Sequence, residues 1–429
     1  MRRRVAFAAG AVSVAVLAAG CGSGGGGASP ATTPGSSGAP ARGVTASAIR
    51  VGIPYVDLAA LKSLGVNLNQ GNFPHDYTAL VDYMNAHGGV DGRKIVPYIQ
   101  GVNPTTTTAA LTACTQLVQD DQVFVALSPE QSNCYLQHGT PIIEGLFQGT
   151  EPPGSAANFT LTPPASAYDP LQLSVFAKRG VFKGKKVGLY AGTTTDESEL
   201  AVVQSSLKKL GVDVVSSAVN SAPPGDLVAG DQQAATIAER FKSSGVDEVV
   251  AVGAGSAGWP QALQANQSTY NPPWVATQAT SLSGYAGSST GNDPTYLKNV
   301  LTSTPNPSAY QAWQDPAVQK CVSIVRKAYP ADVITAPSLT TNSSDHSYIG
   351  VESACTNLAI FAKIAGAAGK DLTVASFTQA GYGLRNVTFP GSGGPVSFGP
   401  GQSYAIGPVY IGTYDVASKQ LVYSTRSAS

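Results

Sequence analysis

The chain has 429 residues, 43% of them hydrophobic and 12% charged, with 26 Lys and Arg against 26 Asp and Glu. Without the three arginines near its start, 23 basic residues face 26 acidic ones, about −3, which argues against a nucleic-acid partner. The length exceeds what one small core supports, so two soluble lobes are expected, and no second apolar run of membrane length follows the first.

The first predicted element is a leader. Arg2, Arg3 and Arg4 precede an apolar run from Val5 to Ala19 that closes on small residues before Cys21. That order reads as a signal peptide over residues 1–20, too short for a permanent span. The stretch Leu17-Ala18-Ala19-Gly20-Cys21 resembles the bacterial lipobox, with Leu17 four residues before the cysteine instead of three. Cys21 is therefore expected to carry lipid, making the chain a membrane-anchored lipoprotein on the outer face of the cytoplasmic membrane. Residues 21–47 are almost wholly Gly, Ser, Ala, Pro and Thr, with Arg42 as one charge. They cannot build a core and are expected to act as a flexible linker reaching roughly 25–30 Å.

From Ile49 short β-rich runs alternate with helix-period segments, the α/β pattern. The strand Ile49 to Ile53 leads to a helix with Phe73, Tyr77, Leu80, Val81 and Met84 on one face, stopped by Gly88-Gly89. A turn at Asp91-Gly92 opens the strand Lys94 to Ile99; a helix with Leu111, Cys114, Leu117 and Val118 inward follows, then strands Val123 to Leu127 and Pro141 to Gly145. After the Pro-rich stretch Leu161 to Pro170 the alternation resumes. A strand Lys186 to Ala191, a helix carrying Leu200, Val203, Leu207 and Leu210, and a strand Val212 to Val219 precede strands Glu248 to Val252 and Trp274 to Thr277, with a helix near Gln261 between them. Helices over Val318 to Tyr329 and Tyr348 to Ala368 precede β-rich segments near Val396 and Val409 to Tyr414. Two doubly wound lobes, with ligand loops at the carboxyl ends of the strands, are the simplest architecture.

Besides Cys21 the chain holds Cys114, Cys134, Cys321 and Cys355, an even number suited to an oxidising compartment. Three connectivities are open. Cys114 with Cys134 and Cys321 with Cys355 are preferred because each pair brackets one helix and one neighbouring element. His75, His87, His138 and His346 are scattered, so no metal site is expected.

The run Gly88-Gly89-Val90-Asp91-Gly92-Arg93-Lys94-Ile95, placed between an amphipathic helix and an extended run, resembles the leucine/isoleucine/valine-binding-protein family of ABC-transporter receptors. The likeness continues through Val187 to Val215, with its Thr-rich loop and its helix ending Leu210-Gly211-Val212, and through the Ala-rich helix Glu352 to Gly366. The resemblance implies a type I periplasmic-binding-protein fold: two doubly wound lobes joined by a three-strand hinge. Lobe 1 would be 48–167 with 281–394, and lobe 2 would be 168–280 with 395–429. It implies a monomer that is not an enzyme and needs no cofactor, closes on a small polar or carboxylate-bearing solute, and delivers it to an ABC permease.

By the same resemblance, the loops after two first-lobe strands supply Gln131, Ser132, Gly149 and Thr150, and the second lobe supplies Thr195, Asp196, Gly255, Ser256 and Gln278. Ser132 and Asn133 have a plainer reading as a helix cap. Tyr55, Phe73, Phe147 and Trp259 are candidate apolar walls. Amino-acid binders of this family place an acid near the position of Gln278 to pair an ammonium group. Gln278 cannot neutralise a buried charge; Asp196 or Glu130 could substitute, yet the departure favours a non-amino-acid solute.

Rival readings rest on one loop. Gly253-Ala254-Gly255-Ser256-Ala257-Gly258 satisfies G-x-G-x-x-G after a strand, but the strand that follows ends at Gln278 where a dinucleotide site needs an acid. Ser256 resembles a nucleophile elbow, yet the only later histidine is His346. A ligand-presenting sensor lipoprotein is not separable from an importer component on sequence.

Overall fold

The predicted strands are apolar on both faces, as parallel strands covered by helices must be. The computed structural model describes residues 41–424 apart from 63, 146–156, 224, 266–268, 287–293 and 338–344. The chain opens with β1 (Ala48–Val56), α1 (Ala59–Lys62), α2 (Phe73–Ala86), β2 (Lys94–Val102) and α3 (Ala109–Thr115), which runs into a π-helical turn over Gln116–Asp120. Then come β3 (Val125–Leu127), α4 (Ser132–Gln137), β4 (Ile142–Ile143) and β5 (Asn158–Phe159). These strands form one parallel sheet ordered β2-β1-β3-β4-β5.

The chain next builds α5 (Ala165–Lys178), β6 (Lys186–Ala191), α6 (Glu197–Lys209), β7 (Asp213–Val219), α7 (Leu227–Ser243), β8 (Glu248–Val252), α8 (Gly258–Ala265), β9 (Trp274–Ala276), α9 (Ala279–Ala286) and β10 (Val300–Thr304). It returns to the first core with α10 (Ala309–Trp313), α11 (Pro316–Ala328), α12 (Tyr348–Ala368), α13 (Val374–Gly383), β11 (Ser397–Gly399) and β12 (Gln402–Ile406), and ends in β13 (Tyr410–Asp415) and β14 (Gln420–Tyr423). The second sheet is ordered β14-β13-β10-β9-β8-β6-β7, parallel from β6 to β10 and antiparallel at β13 and β14. Alternate residues of its central strands feed opposite faces. Val249, Ala251 and Trp274 join Phe241 and Trp259 on one side, while Val250, Val252 and Val275 join Leu173 and Phe176 on the other.

Three connections run between the elements of the first core, which include a two-stranded antiparallel sheet of β11 and β12, and those of the second: 160–164, 305–308 and 407–409. The segments fall differently from the expected lobe boundaries. Residues 281–394 were expected with the first lobe, yet Val300–Thr304 pairs with β9 and β13 in the second sheet. Residues 395–429 were expected with the second, yet Val396, Phe398 and Ala405 pack in the first core, and Thr160 bridges Tyr404. The expected linker also ends early, because Val44 is buried in the first core and the Arg42 guanidinium bonds the His138 carbonyl and the Thr140 hydroxyl.

Both preferred cystine pairs form. Cys114–Cys134 ties α3 to α4 and Cys321–Cys355 ties α11 to α12. Among the described residues no helix is long and apolar enough to cross a membrane, and no group of three His, Cys, Asp or Glu is placed to hold a metal ion.

Candidate functional site

Parallel strands present their next residues at the carboxyl edge of the sheet, where open α/β sheets bind ligands. In the first sheet Ser128 follows β3 and Glu144 follows β4. Both are non-glycine residues with positive φ, 51° and 50°. Such backbone persists only where surrounding contacts hold it. At Ser128 the hold is Asn357 of α12, whose amide donates to the Ser128 hydroxyl and to the Tyr77 hydroxyl, each at 2.7 Å. At Glu144 it is the first inter-sheet connection: the Leu161 N–H donates to one carboxylate oxygen at 2.5 Å and the Thr160 hydroxyl to the other at 3.1 Å.

These groups wall a cavity of about 300 Å³ that also takes in Thr162 and Asn306 from two of the connections and Glu352 from α12. One oxygen of Glu352 is buried without a hydrogen-bond partner, and burial pushes that carboxyl up to about 8. Burial likewise pushes Glu144 up to about 7, with the Leu161 and Thr160 bonds opposing it.

In the second sheet a polar chain runs along the same edge. Glu199, in the first turn of α6, accepts from the Thr277 hydroxyl at 2.9 Å and from the Gln278 amide at 3.3 Å. Burial, and then the Glu199 charge, hold Asp169 of α5 well above the usual carboxylate range, and one of its oxygens is buried without a hydrogen-bond partner. Gln172 donates to Asp169 at 2.8 Å and to the Thr277 carbonyl at 3.0 Å, and accepts from the Ser303 hydroxyl at 2.9 Å. A second cavity, of about 280 Å³, opens past the ends of β6, β7 and β8 and is lined by Tyr190, Thr193, Asn220, Asp226, Asp231 and Gln261 among others.

Two sheets sharing three connections, with carboxyl edges rich in polar groups, match one family in sequence. The model for periplasmic binding proteins matches residues 76–420. The chain belongs to the periplasmic binding protein family. No curated protein sequence matches it. Solved structures carry the fold further: a substrate-binding protein from Desulfitobacterium hafniense in complex with Leu is 14% identical over 88% of this chain and 100% of its own, with a TM-score of 0.58. A putative branched-chain amino acid transporter from Rhodospirillum rubrum is 17% identical over 89% and 100%, TM-score 0.59. A fatty acid transporter substrate-binding protein from Thermomonospora curvata is 17% identical over 91% and 95%, TM-score 0.55. The type I fold of this periplasmic binding protein is thus common to relatives of different named ligands.

Within that fold the sequence-predicted residues divide. Ser132 is buried; its hydroxyl turns back to the Pro129 carbonyl at 3.4 Å inside its own turn, with Gln131 in the N-cap position of α4. Gly149 and Thr150, with Phe147, lie outside the described residues. Thr195 is exposed, and its hydroxyl meets that of Thr193 at 2.7 Å. Asp196 is buried and braces two loops, accepting from the Gly255 N–H and the Thr193 hydroxyl, both at 3.0 Å. The glycine run is explained by that brace. A Cβ on Gly253, whose φ is +72°, would strike the Asp196 carboxylate, and one on Gly255 would lie 2.7 Å from Gly192 Cα. Ser256 is fully buried with its hydroxyl 2.9 Å from that of Ser281, a poor place for a nucleophile. Tyr55 and Phe73 stack at 5.9 Å beside a third cavity of about 390 Å³, whereas Trp259 is fully buried in the second core.

Gln278 lies just after β9 at the edge, and an acid that the sequence reading did not foresee, Glu199, accepts its amide hydrogen bond. Sequence reasoning placed Ser128 at the head of the ligand loop 128–133 without singling it out, and missed Glu199, Asp169, Glu144, Glu352 and Asn357. Ser128 and Glu144 were findable as the first polar residues after apolar strand runs; the others arrive from helices whose docking is tertiary.

Proposed function

We propose that this chain is the extracytoplasmic solute-binding lipoprotein of an ABC importer, held to the outer face of the membrane by lipid on Cys21. It traps a small polar solute between lobes built from 41–160 with 307–406 and from 165–304 with 409–424, and no covalent chemistry is involved. The observation that carries the reading is a cavity at the carboxyl edge of each of two sheets within a periplasmic-binding-protein fold. A ligand touching both edges stabilises one arrangement of the lobes over others, and that difference is what a permease reads. The ligands named for solved relatives, leucine, a fatty acid and 4-hydroxybenzoate, support solute capture in general and leave the class open. The carboxylate-bearing part of the expectation gains no support from Glu144 and Glu352.

A thermal-shift screen of the mature chain against a metabolite library tests capture. At least one compound is expected to raise the melting temperature saturably, and a library that leaves it unmoved removes the reading. The anchor is tested separately: Cys21→Ala is expected to shed the protein into the medium of a single-membrane host, and retention with the cells would sink the lipid role.

A further inference from the structure

The two edge cavities share a charge signature. Among the described residues that line them, four are carboxylates, Glu144 and Glu352 in one and Asp226 and Asp231 in the other, and none is Lys, Arg or His. The remaining polar lining of the first cavity is neutral: Ser128, Thr162, Asn306, Ser353, Thr356 and Asn357. Resting on the solute-binding reading, we infer that the solute is an organic cation, carrying an ammonium or guanidinium group that enters the first cavity against Glu144 and Glu352.

Carboxylate oxygens only accept hydrogen bonds, and one Glu352 oxygen is buried with nothing donating to it. A buried acceptor left unmatched is costly, and a buried charge more so, unless a partner both donates and neutralises. A cationic N–H group does both. A hydroxyl donates without neutralising, and a carboxylate solute offers only acceptors to the Glu352 oxygen that lacks a donor. Neither Glu144 nor Glu352 has a cationic side chain among its described ion-pair partners. Glu144 is already anchored by Leu161 and Thr160, so its carboxyl is held in place, and Glu352 is left to meet the guest. Burial raises the proton affinity of both acids, and a cation beside them would oppose that rise.

Titration calorimetry of the mature chain with agmatine, putrescine, leucine, glucose and 4-hydroxybenzoate tests this. Agmatine or putrescine is expected to bind saturably and at least tenfold more tightly than the other three. Tighter binding of 4-hydroxybenzoate, glucose or leucine overturns the cation assignment while leaving solute capture standing. No heat from any of the five also overturns it, and solute capture is then decided by the library screen alone. In Glu352→Gln, a neutral variant of the same shape, the affinity for the bound cation is expected to fall at least tenfold with no loss of melting temperature. Unchanged affinity there moves the cation out of this cavity; should that variant fail to fold, Glu144→Gln is read by the same criterion.

Discussion

At the scale of single residues, the informative positions are buried acids. Asp76, in the first turn of α2, is 2% exposed, and one of its oxygens has no hydrogen-bond partner. Burial, and then the charge of Asp332, pushes its carboxyl up to about 7 from the ordinary 3.8. Between about pH 4 and 7 the folded chain holds a proton here that the unfolded chain has released, so stability falls as pH rises through that window and levels off above it. Asp76→Asn is therefore expected to stabilise the protein by ~2–4 kcal/mol at pH 8 and to do little at pH 4. Melting curves at the two pH values decide it; equal shifts at both would rule out titration as the cause. Gly253 offers the opposite test. Gly253→Ala forces a Cβ against Asp196 at a positive φ and is expected to cost about 2–4 kcal/mol. In the Asp196→Ala background the extra cost should shrink, because the clash partner is gone; strict additivity in chemical denaturation would refute the brace.

At the scale of elements, the local code was mostly readable. The helix over Tyr348 to Ala368 matches α12 end to end, since its apolar residues recur at helical spacing and Gly369 closes it at positive φ. Strands Lys186 to Ala191 and Glu248 to Val252 match β6 and β8, being apolar runs between turn signals. Helices α5 and α7 were not foreseen. Pro170 lies inside α5, and the buried face of α7 relies on Ala234 and Ala238 beside Ile237 and Phe241, so its periodic signal is weak while Leu227 and Val228 are exposed. The two disulfides clamp neighbouring helices across 20 and 34 residues of chain. Loop-closure entropy predicts about 3–4 kcal/mol for each. Replacing either cysteine pair by alanine should lower the denaturation midpoint accordingly, and a midpoint that also stays put on reduction of the parent would mean that neither bond forms.

At the scale of the whole molecule, function depends on how the three connections couple the sheets. Glu144 is the best-placed coupler, because it leaves the first sheet and holds the backbone of Leu161 on its way to the second. Glu144→Ala is expected to speed hydrogen exchange at the Leu161 amide by at least about tenfold, the loss of one charged hydrogen bond. Exchange there unchanged would detach Glu144 from the hinge. By itself the sequence determined the α/β class, most strands and helices and the family, and it ranked the cystine pairing that the structure then selected. Those depend on short-range periodicity, turn residues and ordered motifs. Only the tertiary structure decided that Val300–Thr304 stays with the second sheet, that Phe398 returns to the first core, and that Glu199 stands beside Gln278. The physical reason is that strand partners and helix docking are fixed by packing between residues far apart in the chain. An acid needed at one strand end can come from any element whose core contacts deliver it there.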